Sequence, residues 1–218
     1  MTVVSDGAGS AAHAERGAQV VCDALVDAAR GAVTECSDLD RIEDELVRTW
    51  FLAVRERLRT VARTTQTDIR DYAATALLTI ASDHQTLCAR IGDGGIVLRH
   101  APDGAFEVAL WPDSGEYANQ TYFITDDAAA EHIAVARFDD VSDVVAFSDG
   151  LQHLALENAT RRAYPAFFLP LVAAVRGAQQ AGAALQAKLA AYLDSGPIND
   201  RTSDDKSLVV GCRMVRSS

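Results

Sequence analysis

The chain has 218 residues, 49% of them hydrophobic and 23% charged, values of an ordinary soluble domain that exclude intrinsic disorder and point to one globular unit, residues 1–218, with a large core. A formal net charge of −11, with no cluster of Lys and Arg, excludes nucleic acid as the expected partner. No basic and apolar leader opens the chain, no apolar run reaches membrane-spanning length, and Cys22, Cys36, Cys88 and Cys212 form no CxxC pair; a cytoplasmic protein with reduced, mostly buried thiols and no membrane partner is expected.

Val3 and Val4 run into Ser5-Asp6-Gly7-Ala8-Gly9-Ser10, which reads as a strand, a tight turn and the start of a helix. Ala18, Val21, Cys22, Leu25, Val26 and Ala29 recur at helical spacing, with an end expected near Gly31. A second stripe follows in Ile42, Leu46, Trp50, Val54, Leu58 and Val61, so two long helices should lie side by side. Alternation from Ala73 to Ile80 marks a strand, and Thr86–Ile91 with Ile96–Leu98 flank Gly92-Asp93-Gly94-Gly95 as a hairpin with a glycine-rich tip.

Further strands are expected at Phe106–Leu110, Thr121–Thr125, His132–Phe138 and Val144–Phe147. After Ser148-Asp149-Gly150 the helical period returns in Tyr164, Phe167, Phe168, Leu171, Val172 and Val175, then in Leu185, Leu189, Tyr192 and Leu193. Leu208–Gly211 reads as a closing strand. The expected class is therefore α+β, with antiparallel sheets covered by helix pairs.

Three aspartates share one context, because Asp6, Asp149 and Asp204 each stand where an apolar strand meets a loop. Carboxylates converging from adjacent strand ends are costly unless a cation neutralises them, and oxygen-only ligands select hard ions such as Mg²⁺ or Mn²⁺ over zinc. Singly, each of the four Asp-Gly pairs (Asp6-Gly7, Asp93-Gly94, Asp103-Gly104 and Asp149-Gly150) reads as ordinary turn chemistry. Asp103-Gly104 is read as such a turn; the joint appearance, in order, of the other three with Asp204-Asp205-Lys206-Ser207 is what suggests a site.

The strings SDGAGSA (Ser5–Ala11), DYAATALLTIA (Asp71–Ala81), IGDGGIVL (Ile91–Leu98), GEYANQTYFITDD (Gly115–Asp127), FSDGL (Phe147–Leu151) and DDKSLVV (Asp204–Val210) resemble, in order, the type 2C metal-dependent protein phosphatases, especially their bacterial branch. The resemblance implies a four-layer αββα sandwich, with two central antiparallel sheets flanked by helix pairs. It implies that Asp6 bridges two ions, that Gly7 offers its carbonyl, and that Asp149 and Asp204 complete the metal site. Counting back from Ser207 favours Asp204 over Asp205. Asp93 has two readings, a ligand of a third metal or only the tip of a turn.

Such a site would hydrolyse phosphoserine or phosphothreonine in proteins, with a water bridging two Mg²⁺ or Mn²⁺ ions as nucleophile and no protein nucleophile. A phosphorylated protein is then the substrate and a cognate Ser/Thr kinase the partner. Many relatives carry His after the first Asp-Gly, but Ala8 stands here, so no general acid is assigned. His13, His84, His100, His132 and His153 are read as structural, with His13 and His153 nearest the candidate loops. The family normally starts upstream with an acidic metal ligand and a phosphate-clamping Arg, for which residues 1–5 offer no match. This keeps a second reading open, a weakly active pseudophosphatase that serves as a regulatory binding module. A covalent Asp nucleophile would want Asp-x-Asp, which Ala8 breaks, and no GxxxxGK[ST] loop is present to hold a triphosphate.

Overall fold

The computed structural model describes residues 1–35, 39–111, 121–178 and 182–214. In chain order these form β1 (Thr2–Val4), α1 (Ala14–Glu35), α2 (Asp44–Thr65), β2 (Ala76–Ala81), β3 (Gln85–Ile91), β4 (Gly95–Arg99), β5 (Glu107–Leu110), β6 (Ala134–Asp139), β7 (Asp143–Phe147), α3 (Gln152–Ala155), β8 (Leu156–Glu157), β9 (Arg162–Ala163), α4 (Pro165–Arg176), α5 (Ala183–Leu193), α6 (Gly196–Asn199) and β10 (Leu208–Cys212). One antiparallel sheet has the order β1-β2-β3-β6 and the other β10-β7-β4-β5.

Alternation along the strands separates three apolar layers, because successive side chains point to opposite faces. In the first sheet Leu78, Ile80, Leu87, Ala89 and Ile91 meet Val21, Leu25 and Ala29 of α1 and Trp50, Phe51, Val54 and Leu58 of α2. Val4, Leu77 and Cys88 point the other way, against Ile96, Leu98, Val144 and Ala146 of the second sheet. That sheet turns Val97, Val145 and Phe147 outward, under Phe167, Phe168, Leu171 and Val172 of α4. Helices, sheet, sheet and helices thus make four layers, the αββα sandwich that the family resemblance implies.

The structure departs from the sequence reading at definite places. Helix α1 runs through Gly31 to Glu35, since an isolated glycine in open space weakens a helix by only about 1 kcal/mol. The inward stripe of α2 is rotated, leaving Leu46 41% exposed while Val47 and Phe51 are buried. Thr121–Thr125 is not a strand: the Ile124 N–H donates to the Ala74 carbonyl, and the Phe123 N–H to Asp126 in a turn. His132 ends a 3-10 turn and β6 starts at Ala134.

The largest correction concerns β3 and β4. They are not a hairpin: β3 pairs with β2 and β6, and β4 with β5 and β7. The Gly92–Gly94 segment instead carries the chain from one sheet to the other. Gly92 has φ +105°, and a Cβ there would lie 2.5 Å from Thr75 Cγ2, so glycine is needed for both conformation and space. This crossing brings Asp93 from a turn tip to the same edge of the sandwich as the strand ends carrying Asp6 and Asp149.

Candidate active site

The first loop is fastened to the segment leading into β2. Ser5 Oγ donates to the Thr75 carbonyl at 2.6 Å, the Asp6 N–H donates to Thr75 Oγ1 at 3.1 Å, and the Thr75 N–H returns to the Asp6 carbonyl at 2.8 Å. The Ala8 N–H then donates to the Ala73 carbonyl at 2.8 Å. Gly7 is held so close to the start of α1 that a Cβ would lie 2.5 Å from the Ala14 carbonyl oxygen. With its backbone bonded on both sides, Asp6 presents its carboxyl group from a fixed, half-buried position.

The second loop repeats the device. Ser148, which is buried, donates through Oγ to the Asp205 carbonyl at 3.3 Å and accepts the Ser207 N–H at 3.0 Å, while its own N–H donates to the Ser207 carbonyl at 3.0 Å. A Cβ on Gly150 would overlap the Asp205 carbonyl oxygen and come within 3.2 Å of Asp204 Cβ. The loops bearing Asp149 and Asp204 are therefore interlocked at backbone level. Asp93 is reached from the other side, where its carboxylate accepts from the Thr121 hydroxyl.

These positions feel one another electrostatically. Asp6 is pushed up to about 7 by burial, by a hydrogen bond with the Asp149 carboxyl group and by the negative charges of Asp149, Asp204 and Asp205. Asp149 is also raised, first by burial and next by the charge of Asp93, with Asp204 adding to it. The charge of Asp149 thus disfavours a second negative charge at Asp6. Asp204 and Asp205 are exposed, and among the described residues no three His, Cys, Asp or Glu side chains stand in a finished metal-coordinating group.

Three of the histidines are engaged with partners outside the carboxylate cluster. The His13 ring lies on Tyr72 with centroids 5.1 Å apart, His100 hydrogen-bonds Glu107 at 2.8 Å, and His132 stacks on Tyr122. Cys22, Cys88 and Cys212 are free thiols; only Cys88 is buried, and Cys36 lies outside the described residues. What the sequence reading passed over is the set of short polar residues that lock the loops, namely Ser5, Thr75, Ser148 and Thr121. A signal for two of them was present, since Ser precedes Asp-Gly at both Ser5-Asp6-Gly7 and Ser148-Asp149-Gly150.

A sandwich of two antiparallel sheets with carboxylates gathered at one edge defines the class to which known proteins can be compared. The family model described as protein phosphatase 2C matches residues 1–194. Serine/threonine-protein phosphatase 3 of Escherichia coli (strain K12) is 34% identical over 211 residues, covering 95% of this chain and 81% of that protein. Among solved structures, PppA, a regulatory component of T6SS in Pseudomonas aeruginosa, superposes with a TM-score of 0.63 at 18% identity, over 97% of this chain and 85% of that one. The catalytic domain of the phosphatase PstP in complex with two manganese ions gives a TM-score of 0.59 at 16% identity, over 95% of this chain and 84% of that one. The chain belongs to the protein phosphatase 2C family and is an enzyme of the protein-serine/threonine phosphatase class. No helix among the described residues is long and apolar enough to cross a membrane.

Proposed function

We infer that the chain hydrolyses phosphoserine and phosphothreonine in a protein substrate at a pair of Mg²⁺ or Mn²⁺ ions held by Asp6, the Gly7 carbonyl, Asp149 and Asp204, with Asp93 at a third, weaker position. The observation that carries this reading is the gathering of Asp6, Asp93, Asp149 and Asp204 at one edge of the sandwich, close enough for their charges to act on one another, a repulsion that a divalent cation would relieve. The donors are all oxygens, which suits hard ions. The PstP structure, with its two manganese ions, supports the count by analogy of fold.

When bound, such ions polarise the phosphoryl group and activate a water molecule for in-line attack. The chain's own part is positioning. Ser5 and Thr75 fix the Asp6 carboxyl group, while Ser148 and Gly150 hold the Asp149 and Asp204 loops against each other, so that charge is preorganised rather than gathered on binding. Asp204 is exposed and would close the ligand set from the solvent side. A Ser/Thr kinase that supplies the phosphorylated substrate is the natural counterpart of this reaction.

Phosphate release from p-nitrophenyl phosphate and from a phosphothreonine peptide tests the reading. Release should require Mn²⁺ or Mg²⁺, stop with EDTA, and fall to background in Asp149→Asn. Full activity in EDTA or in that variant would reject the assigned metal role.

A further inference from the structure

Asp93 is carried by the segment that crosses from one sheet to the other, and both residues beside it are glycines pressed onto neighbouring strand ends. A Cβ on Gly92 would lie 2.5 Å from Thr75 Cγ2, and one on Gly94 would lie 2.8 Å from the Phe147 carbonyl oxygen. Thr75 bonds the Asp6 backbone, while Phe147 ends β7 two residues before Asp149. Asp93 is therefore mounted between the supports of two other carboxylates.

Arg90 holds this crossing from within the sandwich. It is 5% exposed, on the face that β3 turns toward the second sheet, opposite Leu77 of β2. Its Nη1 donates to the Gly92 carbonyl. That carbonyl belongs to the planar Gly92–Asp93 peptide group, so the bond fixes the plane from which the Asp93 Cα departs. With Thr75 against Gly92 and the Thr121 hydroxyl on the Asp93 carboxylate, the position of Asp93 is constrained at three points.

Burying a guanidinium carries a large desolvation penalty, a costly way to hold a turn that only joins two strands. What the arrangement does hold is a carboxylate whose charge acts on Asp149. Thr75 divides the support into two parts, since its Oγ1 serves Asp6 and its Cγ2 serves Gly92.

We propose that Arg90 is a positioning residue for Asp93, keeping its carboxylate in place as a preformed ligand, so that the weaker Mn²⁺ or Mg²⁺ position depends on Arg90 while the tighter one at Asp6 and Asp149 does not. The role assigned to Asp93 rests on the metal reading of the site.

Binding of Mn²⁺ to the purified chain, followed by the electron paramagnetic resonance signal of the free ion, tests the proposal without turnover. The wild type should show a tight and a weaker class of sites. Arg90→Met should weaken the weaker class about tenfold, the scale of removing the outer partner of a metal ligand, and leave the tight class unchanged. Asp93→Asn should act on the same class, and the double variant should bind no worse than Asp93→Asn alone. Thr75→Ser, which removes the methyl group and keeps the hydroxyl, should reproduce the selective loss even where Arg90→Met does not fold, whereas Thr75→Val should weaken the tight class. Equal weakening of both classes in Arg90→Met, no change in it, additive losses in the double variant, or a single class in the wild type would overturn the proposal. A wild type that binds no Mn²⁺ rejects the metal reading itself; tight binding that persists beside a weaker class indifferent to Arg90→Met and Thr75→Ser rejects this proposal alone. Phosphate release from a phosphothreonine peptide is read separately, and its absence beside a preserved selective loss would reject the phosphatase reading and leave the role of Arg90 standing.

Discussion

Asp6 and Asp149 follow strands of different sheets, yet the charge of Asp149 reaches the half-buried Asp6 carboxyl group and, after burial, helps push it up to about 7. A divalent ion held by both carboxylates should stabilise the fold by mass action, by about 2.7 kcal/mol at a hundredfold excess over its Kd. For a domain of this size that corresponds to a rise in Tm of roughly 5–10 °C. Thermal melts in Mn²⁺ and in EDTA should show this rise for the wild type and little of it for Asp6→Asn. An equal rise in the variant would mean that the stabilising ion binds elsewhere.

Gly150 separates the role of loop placement from that of ligand identity. In Gly150→Ala the new methyl group would overlap the Asp205 carbonyl oxygen, so the Asp204 loop must move while every carboxylate remains. Overpacking of this kind costs about 1–3 kcal/mol, and a displacement near 1 Å can lower turnover about a hundredfold. Urea unfolding and kcat measured on the same preparation should show a modest loss of stability beside a large loss of activity. Activity near the wild-type level would show that the contact between the two loops does not position the site.

At the opposite end of β7, Asp143 is held by two arginines, Arg99 at 2.7 Å and Arg176 at 2.7 Å. Burial pushes its carboxyl group up, but hydrogen bonds from Cys212, Arg99, Ser142 and Arg176 together hold it below the usual carboxylate range. Because the folded-state pKa is depressed, the stabilisation is complete above the unfolded pKa near 3.8 and is lost as pH falls through the folded value. Asp143→Asn leaves the buried Arg99 without its counter-ion and should destabilise by about 3–5 kcal/mol at neutral pH. Urea titrations should find this difference shrinking below about pH 4; a difference independent of pH would show that the ion pairing contributes nothing.

The candidate ligands were legible because their context is local: Asp6, Asp149 and Asp204 each adjoin a short apolar strand. The interlocking was less so, since the partners of Ser5 and Ser148, namely Thr75, Asp205 and Ser207, are distant in sequence and carry no periodic signal. The Arg99–Asp143–Arg176 cluster was invisible for the same reason. Strand positions were largely readable, but pairing was not. β3 and β4 are buried on both faces, so alternation could not show that the chain changes sheets at Gly92. Thr121–Thr125 shows the reverse failure: β-forming residues there hydrogen-bond across to Ala74 and close a turn at Asp126 rather than joining a sheet.

The claim that the gathered carboxylates hold catalytic cations is tested most directly by anomalous scattering from crystals soaked in Mn²⁺. The expected result is a strong peak within direct coordination distance, about 2.0–2.6 Å, of both the Asp6 and Asp149 carboxylates, with Asp204 drawn toward the same centre. A soaked crystal with manganese absent, or bound away from those carboxylates, would contradict the account.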